Sequence, residues 1–308
     1  MTMSKTITPL VSVVIPTYNH AHFLGRAIQS VLDQTYKNWE AIVIDNHSTD
    51  NTDEVLQKFT DERIRALKIH NNGVIAASRN MGIQASRGEW IAFLDSDDWW
   101  VSDKLTVCFE HINEHVDILY HDLQIVSDYH ISSQEKKIMT SRQLKSPVFM
   151  DLLVNANLLA NSSVVVRKRL LTQVGGINEN PQMVASEDYN TWLRIARITE
   201  AFLYLPENLG FYMVHAKGVS KRDMTLPWKC AIQDYIDLLS SEQRNTFYCT
   251  TAYQSGRYQY SQGDYNRAIE NFSYCISRAD VNLRMRSVCK ICVILLKKVS
   301  KKIINKSI

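Results

Sequence analysis

The most restrictive feature of the sequence is the alternation of strand and helix signals over roughly its first hundred residues. The β-branched run Val11–Ile15 ends at Pro16, and apolar residues then recur at helical spacing from Phe23 to Leu32. Further strands are predicted at Ala41–Ile44, Ile64–Ile69 and Trp90–Leu94, with a turn at 71–73 and a helix up to Ala85. Strands separated by single helices favour parallel pairing with right-handed crossovers. The pattern therefore predicts an α/β fold.

Polar clusters follow the predicted strands. They are Pro16-Thr17-Tyr18-Asn19, Asp45-Asn46 and Asp95-Ser96-Asp97-Asp98. In open α/β sheets, ligands bind outside the carboxyl ends of the strands. We therefore expect these clusters to form the site.

The second half of the chain is less regular and ends in helices. We predict a loop at Ser127–Ser146, strands at Ser162–Val166, Ala201–Leu205 and Gly210–Val214, a turn at Gly175-Gly176 and a helix at Asp188–Ile198. Beyond Pro227 the pattern is helical, and the offsets of Ala252, Gly256, Ala268 and Phe272 resemble one tetratricopeptide hairpin. Because a repeat array needs about three units, a helical cap on the main domain is the favoured interpretation. The predicted domains are residues 1–225 and 226–308.

Composition excludes several classes of protein. With 45% hydrophobic and 22% charged residues, the chain has an ordinary globular composition. No apolar run approaches the ~20 residues of a membrane-spanning helix, and no secretion signal is visible near the N-terminus. Six scattered cysteines fit a reducing compartment. We therefore expect a cytoplasmic protein.

The acidic cluster after Trp90–Leu94 carries the sharpest chemical signal. Closely spaced carboxylates repel one another unless a cation or water offsets their charge. Asp95 and Asp97 are two residues apart at a strand end, so both can face one hard cation such as Mg²⁺ or Mn²⁺. A solvated acidic turn is the alternative. The apolar strand before the cluster and Trp99-Trp100 after it argue against a solvent-exposed tip.

A second acidic pair, Glu187-Asp188, begins a predicted helix. Acidic residues there are stabilised by the helix dipole, so capping alone explains them. A carboxylate at this position could also take a proton from an attacking hydroxyl as a general base. Spacing alone leaves both interpretations open.

Several ordered blocks together resemble the family 2 inverting glycosyltransferases of GT-A fold. They are VSVVIPTYN (11–19), IDNHSTD (44–50), RNxG (79–82), GEWIAFLDSDD (88–98) and SED (186–188). The resemblance covers about residues 9–220. It implies a Rossmann-like, mostly parallel sheet flanked by helices, with a C-terminal helical extension. It also implies a metal-dependent enzyme that moves a sugar from a nucleotide-diphosphate donor to an acceptor hydroxyl, in surface polysaccharide or glycan biosynthesis.

The resemblance also implies roles for individual residues. It implies that the nucleotide sugar is bound by Pro16, Thr17, Tyr18, Asp45, Asn46, Arg79, Asn80, Asp95 and Ser96. Metal binding falls to Asp97, Asp95 and His215, with Mg²⁺ or Mn²⁺ as the cofactor. Asp188 matches the base that activates the acceptor. A structural role for His215 is an equal alternative.

The chain departs from the family pattern at Asn46, where many relatives have a second acidic residue. A carboxylate there can accept a hydrogen bond from uracil N3–H, whereas Asn can accept only through its neutral carbonyl. The nucleotide therefore stays open. We expect UDP first, with dTDP or GDP as alternatives, and no nucleic-acid partner.

Charge is distributed unevenly along the chain. The net charge is +3, but residues 278–308 alone carry nine Lys/Arg and one Asp. Met285, Val288, Cys292 and Leu295 recur on one predicted helical face among these basic residues. Such a helix either lies on an anionic membrane, where a lipid-linked glycan acceptor would be, or docks its apolar stripe on the protein. We lean towards peripheral membrane contact through 284–308.

Two alternative functions and one weaker motif remain to be considered. A nucleotidyltransferase would have a similar metal site, and a catalytically silent nucleotide-binding or interaction protein is the rival outside enzymes. Intact Asp95, Asp97 and Asp188 argue against silence. The pair Cys289/Cys292 has metal-ligand spacing but no second pair, so packing in a helix is the favoured interpretation.

Overall fold

The structure, a computed structural model, describes residues 8–127, 137–215, 218 and 222–304, with the backbone alone for 299–304. The strands are β1 (Val11–Thr17), β2 (Trp39–Asp45), β3 (Ile64–Lys68), β4 (Trp90–Phe93), β5 (Trp99–Trp100), β6 (Ile118–Ser127), β7 (Lys137–Met139), β8 (Val165–Arg167) and β9 (Phe202–Val214). The helices up to residue 215 are α1 (Ala21–Leu32), α2 (Thr52–Gln57), α3 (Ile75–Ala85), α4 (Lys104–His111), α5 (Val148–Asn155), α6 (Lys168–Gln173) and α7 (Glu187–Ala196). The chain divides into two compact units, Met1–His215 and Ala216–Ile308. The domain boundary predicted from the sequence falls later, after residue 225.

One mixed sheet forms the centre of the first unit. Its strand order is β3-β2-β1-β4-β8-β6-β9-β5, and β7 pairs with β6. Strands β1 to β4 pair in parallel, as their connecting helices require, and so do β6 and β9. The pairs β4–β8, β6–β8, β6–β7 and β5–β9 are antiparallel. The predicted α/β fold is confirmed, with the parallel pairing expected for β1 to β4, but the sheet as a whole is mixed rather than mostly parallel.

The central strands are buried along their full length, which explains their continuous apolar runs. Every residue of β1, β2 and β4 is buried. Helix α1 buries the predicted apolar stripe, including Phe23, Leu24 and Val31. Gly82 lets α3 approach the sheet, because a Cβ at this position would lie 2.5 Å from Val14 Cγ1. The register places Thr17 of β1 beside Asp45 of β2, so the carboxyl ends of these strands coincide.

Two sequence-based predictions about loops and strands are wrong. The strands predicted at Ala201–Leu205 and Gly210–Val214 form a single strand, β9. Its pairing with β6 shifts between Leu205 and Asn208, where Pro206 lacks a backbone donor, and the strand continues past this irregularity. The loop predicted at Ser127–Ser146 contains β7, which pairs back on β6. Residues 128–136 of that loop lie outside the described residues.

The second unit is helical, as predicted. It contains α8 (Thr225–Ile232), α9 (Ser241–Ser261), α10 (Tyr265–Ile276) and α11 (Val281–Ile304). Ser240 and Gln243 form a capping box at the start of α9. Gly256 of α9 faces Phe272 of α10, since a Cβ on Gly256 would lie 2.9 Å from the Phe272 ring. The small and aromatic residues that suggested a tetratricopeptide hairpin therefore pack helix on helix.

Helix α11 docks on this hairpin through a face other than the predicted stripe. Ser287 and Ile294 are fully buried, and Ile294 packs with Ala268 and Phe272. Met285 is 61% exposed and Leu295 is 50% exposed. The alternative in which the predicted stripe covers the protein is therefore wrong for the described residues. Cys289 and Cys292 are also exposed rather than packed, because they lie outside the docked face.

Candidate active site

Loops that leave the carboxyl ends of β1 and β2 hold each other in place. Asn19 has a positive φ of 52°, and its backbone N–H donates to Ser48 Oγ at 2.8 Å. Its side-chain Oδ1 accepts from the Thr49 backbone N–H at 2.7 Å. Asn tolerates this left-handed conformation better than most residues, which explains its use at the turn. Asn19 belongs to a strand-end cluster that was expected to form the site, but its contact with Ser48 was not predicted.

Among the predicted nucleotide-binding residues Pro16, Thr17 and Tyr18, only Tyr18, which directly follows β1, is open to solvent. Tyr18 is 53% exposed, whereas Pro16 and Thr17 are buried in the strand. Thr17 Oγ1 is buried and has no hydrogen-bond partner among the described residues. A buried hydroxyl without a partner is costly, so this oxygen is available to a ligand or a water molecule.

Asp45 organises the loop after β2. It is 1% exposed, and its Oδ1 accepts from the Ser48 backbone N–H at 3.0 Å and from Ser48 Oγ at 2.6 Å. Its Oδ2 lies 3.4 Å from Lys68 Nζ. The next residue, Asn46, accepts a hydrogen bond from the Asn71 backbone N–H through Oδ1 at 2.8 Å. Because a backbone N–H can only donate, the Asn46 amide oxygen faces Asn71 and its NH₂ group remains for a ligand.

Arg79 connects the acidic loop after β4 with the start of α7. The guanidinium is only 4% exposed, and Nη2 donates to Asp95 Oδ1 at 2.7 Å. Its Nη1 donates to Glu187 in a short ion pair. Burial alone would lower the pKa of Arg79, but the charges of Asp95 and Glu187 outweigh it and raise this pKa. Arg79, predicted to line the nucleotide pocket, therefore also holds two acidic elements together.

The Asn80 side chain forms hydrogen bonds to a turn of the same unit. Its Nδ2 donates to the Ile177 carbonyl at 2.8 Å and to Glu179 Oε1 at 2.7 Å. Its Oδ1 accepts from the Ile177 backbone N–H at 2.8 Å. These contacts stabilise the turn, and the predicted place of Asn80 in the nucleotide pocket stays a prediction.

Asp97 and His215 meet although they are far apart in sequence. His215 Nε2 lies 3.0 Å from Asp97 Oδ2. Burial and the charge of Asp95 raise the pKa of Asp97. His20 lies beside them: its Nδ1 is 2.9 Å from Ser96 Oγ, and its ring centroid is 5.6 Å from that of His215. Sequence reasoning missed His20, whose only signal was its position directly after a strand-end motif.

Asp98 anchors the acidic loop. Its Oδ2 accepts from Ser162 Oγ at 2.6 Å, and its Oδ1 accepts from the Met213 backbone N–H at 2.8 Å. Burial, reinforced by the charge of Asp97, raises the pKa of Asp98 well above its usual range. Because Met213 is two residues before His215, this anchor also fixes the strand end that carries His215.

Asp188 lies in the first turn of α7 with a hydrogen-bond donor at each oxygen. The Tyr189 backbone N–H donates to Oδ1 at 2.7 Å, and Asn157 Nδ2 donates to Oδ2 at 3.2 Å. Burial and the neighbouring charge of Glu187 raise the pKa of Asp188 to about 7. A carboxylate with such a pKa can both accept and release a proton near neutral pH.

The donor set at Asp97 and His215 fits a divalent cation. Mg²⁺ and Mn²⁺ accept carboxylate and imidazole ligands and commonly complete their coordination with substrate phosphates. A cation would also offset the unfavourable charge of Asp97. Asp95 is less available, because Oδ1 accepts from Arg79 and from Asn161 Nδ2 at 3.3 Å. In the described part of the chain, no three acidic, histidine or cysteine side chains converge into a complete metal site.

Comparisons with known proteins assign the chain to a family. A family model described as "Glycosyl transferase family 2" matches residues 12–153. The chain is 32% identical over 213 residues to the Escherichia coli protein named UDP-Glc:alpha-D-GlcNAc-diphosphoundecaprenol beta-1,3-glucosyltransferase WfaP, covering 68% of this chain and 80% of that one. The chain belongs to glycosyltransferase family 2. It is also 42% identical over 108 residues to the putative teichuronic acid biosynthesis glycosyltransferase TuaG of Bacillus subtilis, spanning 34% of this chain and 43% of TuaG.

Solved structures share the fold of this family 2 chain. TarS 1–349 of S. aureus in complex with UDP-GlcNAc matches with a TM-score of 0.63 and 16% identity, over 90% of this chain and 83% of that one. The mannosyltransferase PcManGT from Pyrobaculum calidifontis, in complex with GDP-Man and Mn²⁺, has a TM-score of 0.60 and 16% identity, over 94% and 81%. These likenesses establish the GT-A type of fold expected from the sequence.

Proposed function

We propose that this chain transfers a hexosyl unit from a UDP-sugar to a hydroxyl of a lipid-linked diphosphate acceptor, with inversion at the anomeric carbon. The observation that carries the proposal is Asp188, a carboxylate with a pKa of about 7 and a donor at each oxygen. Support for the substrate class comes from the relative named for UDP-Glc and a GlcNAc-diphosphoundecaprenol acceptor. Such a step extends a surface polysaccharide.

Asp188 acts as the general base in this mechanism. As the acceptor oxygen attacks the anomeric carbon from the face opposite the diphosphate, its proton moves to the Asp188 carboxylate. The bond between the anomeric carbon and the phosphate oxygen breaks, and its electron pair leaves with UDP. An α-linked donor therefore gives a β-linked product. The bridge from Glu187 through Arg79 to Asp95 keeps the base and the acidic loop in one arrangement.

Asp97 and His215 are the residues proposed to hold the divalent cation. When bound, the cation neutralises charge on the departing diphosphate. Asp98 fixes both ligands through its bonds to Ser162 and Met213.

The nucleobase is proposed to be uracil. The free NH₂ of Asn46 is a donor, and uracil offers two carbonyl oxygens as acceptors. Thymine has the same carbonyls and guanine has one, so the base must be tested directly. The sequence-based idea that the Asn46 carbonyl receives uracil N3–H is less favoured, since that oxygen already accepts from Asn71.

Helix α11 is proposed to bring the enzyme to an anionic membrane surface. Met285 is 61% and Val288 is 39% exposed, on the same face as Leu295. Among the described residues, none of the flanking Lys and Arg side chains of α11 lies within ion-pair distance of a carboxylate. Exposed apolar side chains bordered by cations that lack a carboxylate partner match a surface of anionic headgroups. No described helix has the length and apolar character that crossing a bilayer requires.

A donor screen tests the proposal. Thermal unfolding is followed with Mn²⁺ and UDP-glucose, dTDP-glucose or GDP-glucose, so that only the base changes. UDP-glucose is expected to raise Tm most, since a ligand at 100 times its Kd stabilises a fold by about 2.7 kcal/mol. Removal of Mn²⁺ with EDTA should reduce that shift. A larger shift with GDP-glucose contradicts the base assignment.

Transfer itself is measured with UDP-glucose and a GlcNAc-diphospholipid. A β-linked disaccharide lipid and free UDP are the expected products. Release of pyrophosphate from UTP, without sugar transfer, contradicts the proposal and favours a nucleotidyltransferase. Binding of a nucleotide without either reaction favours a silent binding protein.

A further inference from the structure

A short segment after α5 contacts both the proposed base and the acidic loop. Asn157 Nδ2 donates to Asp188 Oδ2 at 3.2 Å. Asn161 Nδ2 donates to Asp95 Oδ1 at 3.3 Å, and Ser162 Oγ donates to Asp98 Oδ2 at 2.6 Å. The segment thus ties two parts of the site that are distant in sequence.

The orientation of the Asn157 amide follows from its surroundings. Its Oδ1 accepts from the Leu159 backbone N–H at 3.0 Å. Because that donor can pair only with the amide oxygen, the NH₂ group of Asn157 must face Asp188. Leu159 is fully buried, and the Leu158 carbonyl accepts from Ser141 Oγ at 2.8 Å, so the backbone that carries Asn157 is held on both sides.

We propose that Asn157 is a positioning residue for Asp188: its amide donates to Oδ2, fixes the carboxylate and favours the ionised form that accepts the proton. This inference rests on the proposed function of Asp188. A neutral donor bonds a carboxylate more strongly than a carboxylic acid, so loss of the donor favours protonation.

The charged groups around Asp188 make this donor important. Glu187 and Asp95 disfavour the charge on Asp188, whereas Arg79 favours it. Arg79 is already paired with Glu187 and Asp95. Asn157 is the side-chain donor that bonds Asp188 directly among the described contacts.

Two substitutions separate the donor from the local loop structure. Asn157→Asp keeps an oxygen for the Leu159 N–H but replaces the donor with an acceptor. Asn157→Ala removes both contacts. Asn155→Asp is the matched control, because the exposed Asn155 also donates to a carboxylate, Asp151, at 2.7 Å.

The readouts are a pH–rate profile and a direct titration. UDP release from UDP-glucose with Mn²⁺ is measured from pH 5 to pH 10 with water as the acceptor. The Asp188 carboxyl group is titrated by ¹³C NMR, and its signal is identified by its absence in Asp188→Asn. Asn157→Ala should raise the apparent pKa from about 7 by about one unit and so lower kcat at pH 7 about fivefold, with recovery at high pH and unchanged KM for UDP-glucose. Asn157→Asp should raise the pKa further. Asn155→Asp should behave like the wild type.

The outcomes distinguish this inference from the proposed function. If Asp188→Asn is inactive but both Asn157 variants keep the wild-type profile and carboxyl pKa, the role of Asn157 is overturned and the base assignment stands. If Asp188→Asn retains wild-type activity, the base assignment is overturned, and the inference with it. A uniform loss of activity across the pH range, without a change in the carboxyl pKa, indicates a structural loop residue and also overturns the inference.

Discussion

At the scale of single residues, surroundings rather than residue type decide what each carboxylate does. Asp98 is held by Ser162 and Met213 and serves as an anchor. Asp95 is paired with Arg79, whereas the Asp97 carboxylate contacts His215. These differences give Asp98 a structural role and leave Asp97 as the proposed metal ligand.

Asp188→Asn should nearly abolish transfer and leave donor binding in place. Removal of a general base costs about 10²–10⁴-fold in rate, and the side chain keeps its size. We expect wild-type Tm shifts with UDP-glucose and Mn²⁺ but little UDP release. Transfer within a few fold of the wild type would contradict the assignment.

The same substitution should make the fold more stable at high pH. The pKa of Asp188 is about 7 in the fold against about 4 for an unperturbed aspartate, so its ionisation destabilises the fold as pH rises between these values. Asp188→Asn removes this cost, and its Tm should exceed the wild-type Tm at pH 8 but not at pH 4. Asp61→Asn is the opposite control, because Arg63 lowers the pKa of Asp61 to about 2. It should lower Tm at pH 8.

Arg79→Met should destabilise the first unit severely. It leaves Asp95 and the buried Glu187 without their cation, and breaking a buried pair typically costs about 3–5 kcal/mol. Chemical denaturation measures the loss. Arg87→Met is the control, since Arg87 is 66% exposed and Glu40 keeps Ser12 and Arg65 as partners. Equal losses for the two variants would contradict a special role of Arg79.

Sequence reasoning found the acidic groups but not the contacts between them. Asp95, Asp97 and Asp188 stand out because each follows a strand or begins a helix. The bond from Arg79 to Glu187 spans 108 positions, and that from His215 to Asp97 spans 118. Such pairings depend on the folded sheet, and local periodicity carries no information about them.

At the scale of elements, the parallel half of the sheet was predictable because each buried strand reads as an apolar run with a helix between strands. The antiparallel half was harder. Two separate strands were predicted, at Ala201–Leu205 and Gly210–Val214, yet pairing with β6 continues through Asn208 between them. Strand β7 has only three residues, Lys137–Met139, and pairs at an edge, so it lacks a distinctive pattern.

Close approach of α3 to the sheet gives a prediction about element packing. Gly82→Ala should destabilise the first unit by about 1–3 kcal/mol, because the new methyl group would lie 2.5 Å from Val14 Cγ1 in the core. Gly25→Ala in α1 is the matched control, with its nearest neighbour, Val55 Cγ1, at 3.6 Å. Since Ala is the better helix former, Gly25→Ala should be neutral or stabilising. Denaturation midpoints of the two variants and the wild type measure these changes in stability. An unchanged midpoint in Gly82→Ala would contradict the close packing of α3 on the sheet.

At the scale of the whole molecule, the small net charge conceals a division of charge along the chain. Residues 278–308 carry +8, and the remainder carries −5. The acids of the remainder include the proposed metal ligands and base, whereas α11 carries cations beside exposed apolar side chains. The sequence predicted the amphipathic helix but not which of its faces would dock, because both faces contain apolar residues at helical spacing.

Binding to vesicles tests what the exposed face of α11 does. The full chain should bind anionic phosphatidylglycerol vesicles in preference to neutral phosphatidylcholine vesicles, and high salt should weaken this binding. Arg286→Glu should weaken it about tenfold or more, because Arg286 is exposed on α11 and each basic residue near such a surface contributes about 1 kcal/mol. Lys58→Glu is the control for net charge, on an exposed lysine at the end of α2. Equal effects of the two substitutions would indicate a non-specific response to net charge. A concentration-dependent dimer that is lost in Leu295→Ser would instead show that the exposed face of α11 binds a second copy of the chain. Either result would contradict membrane docking through α11.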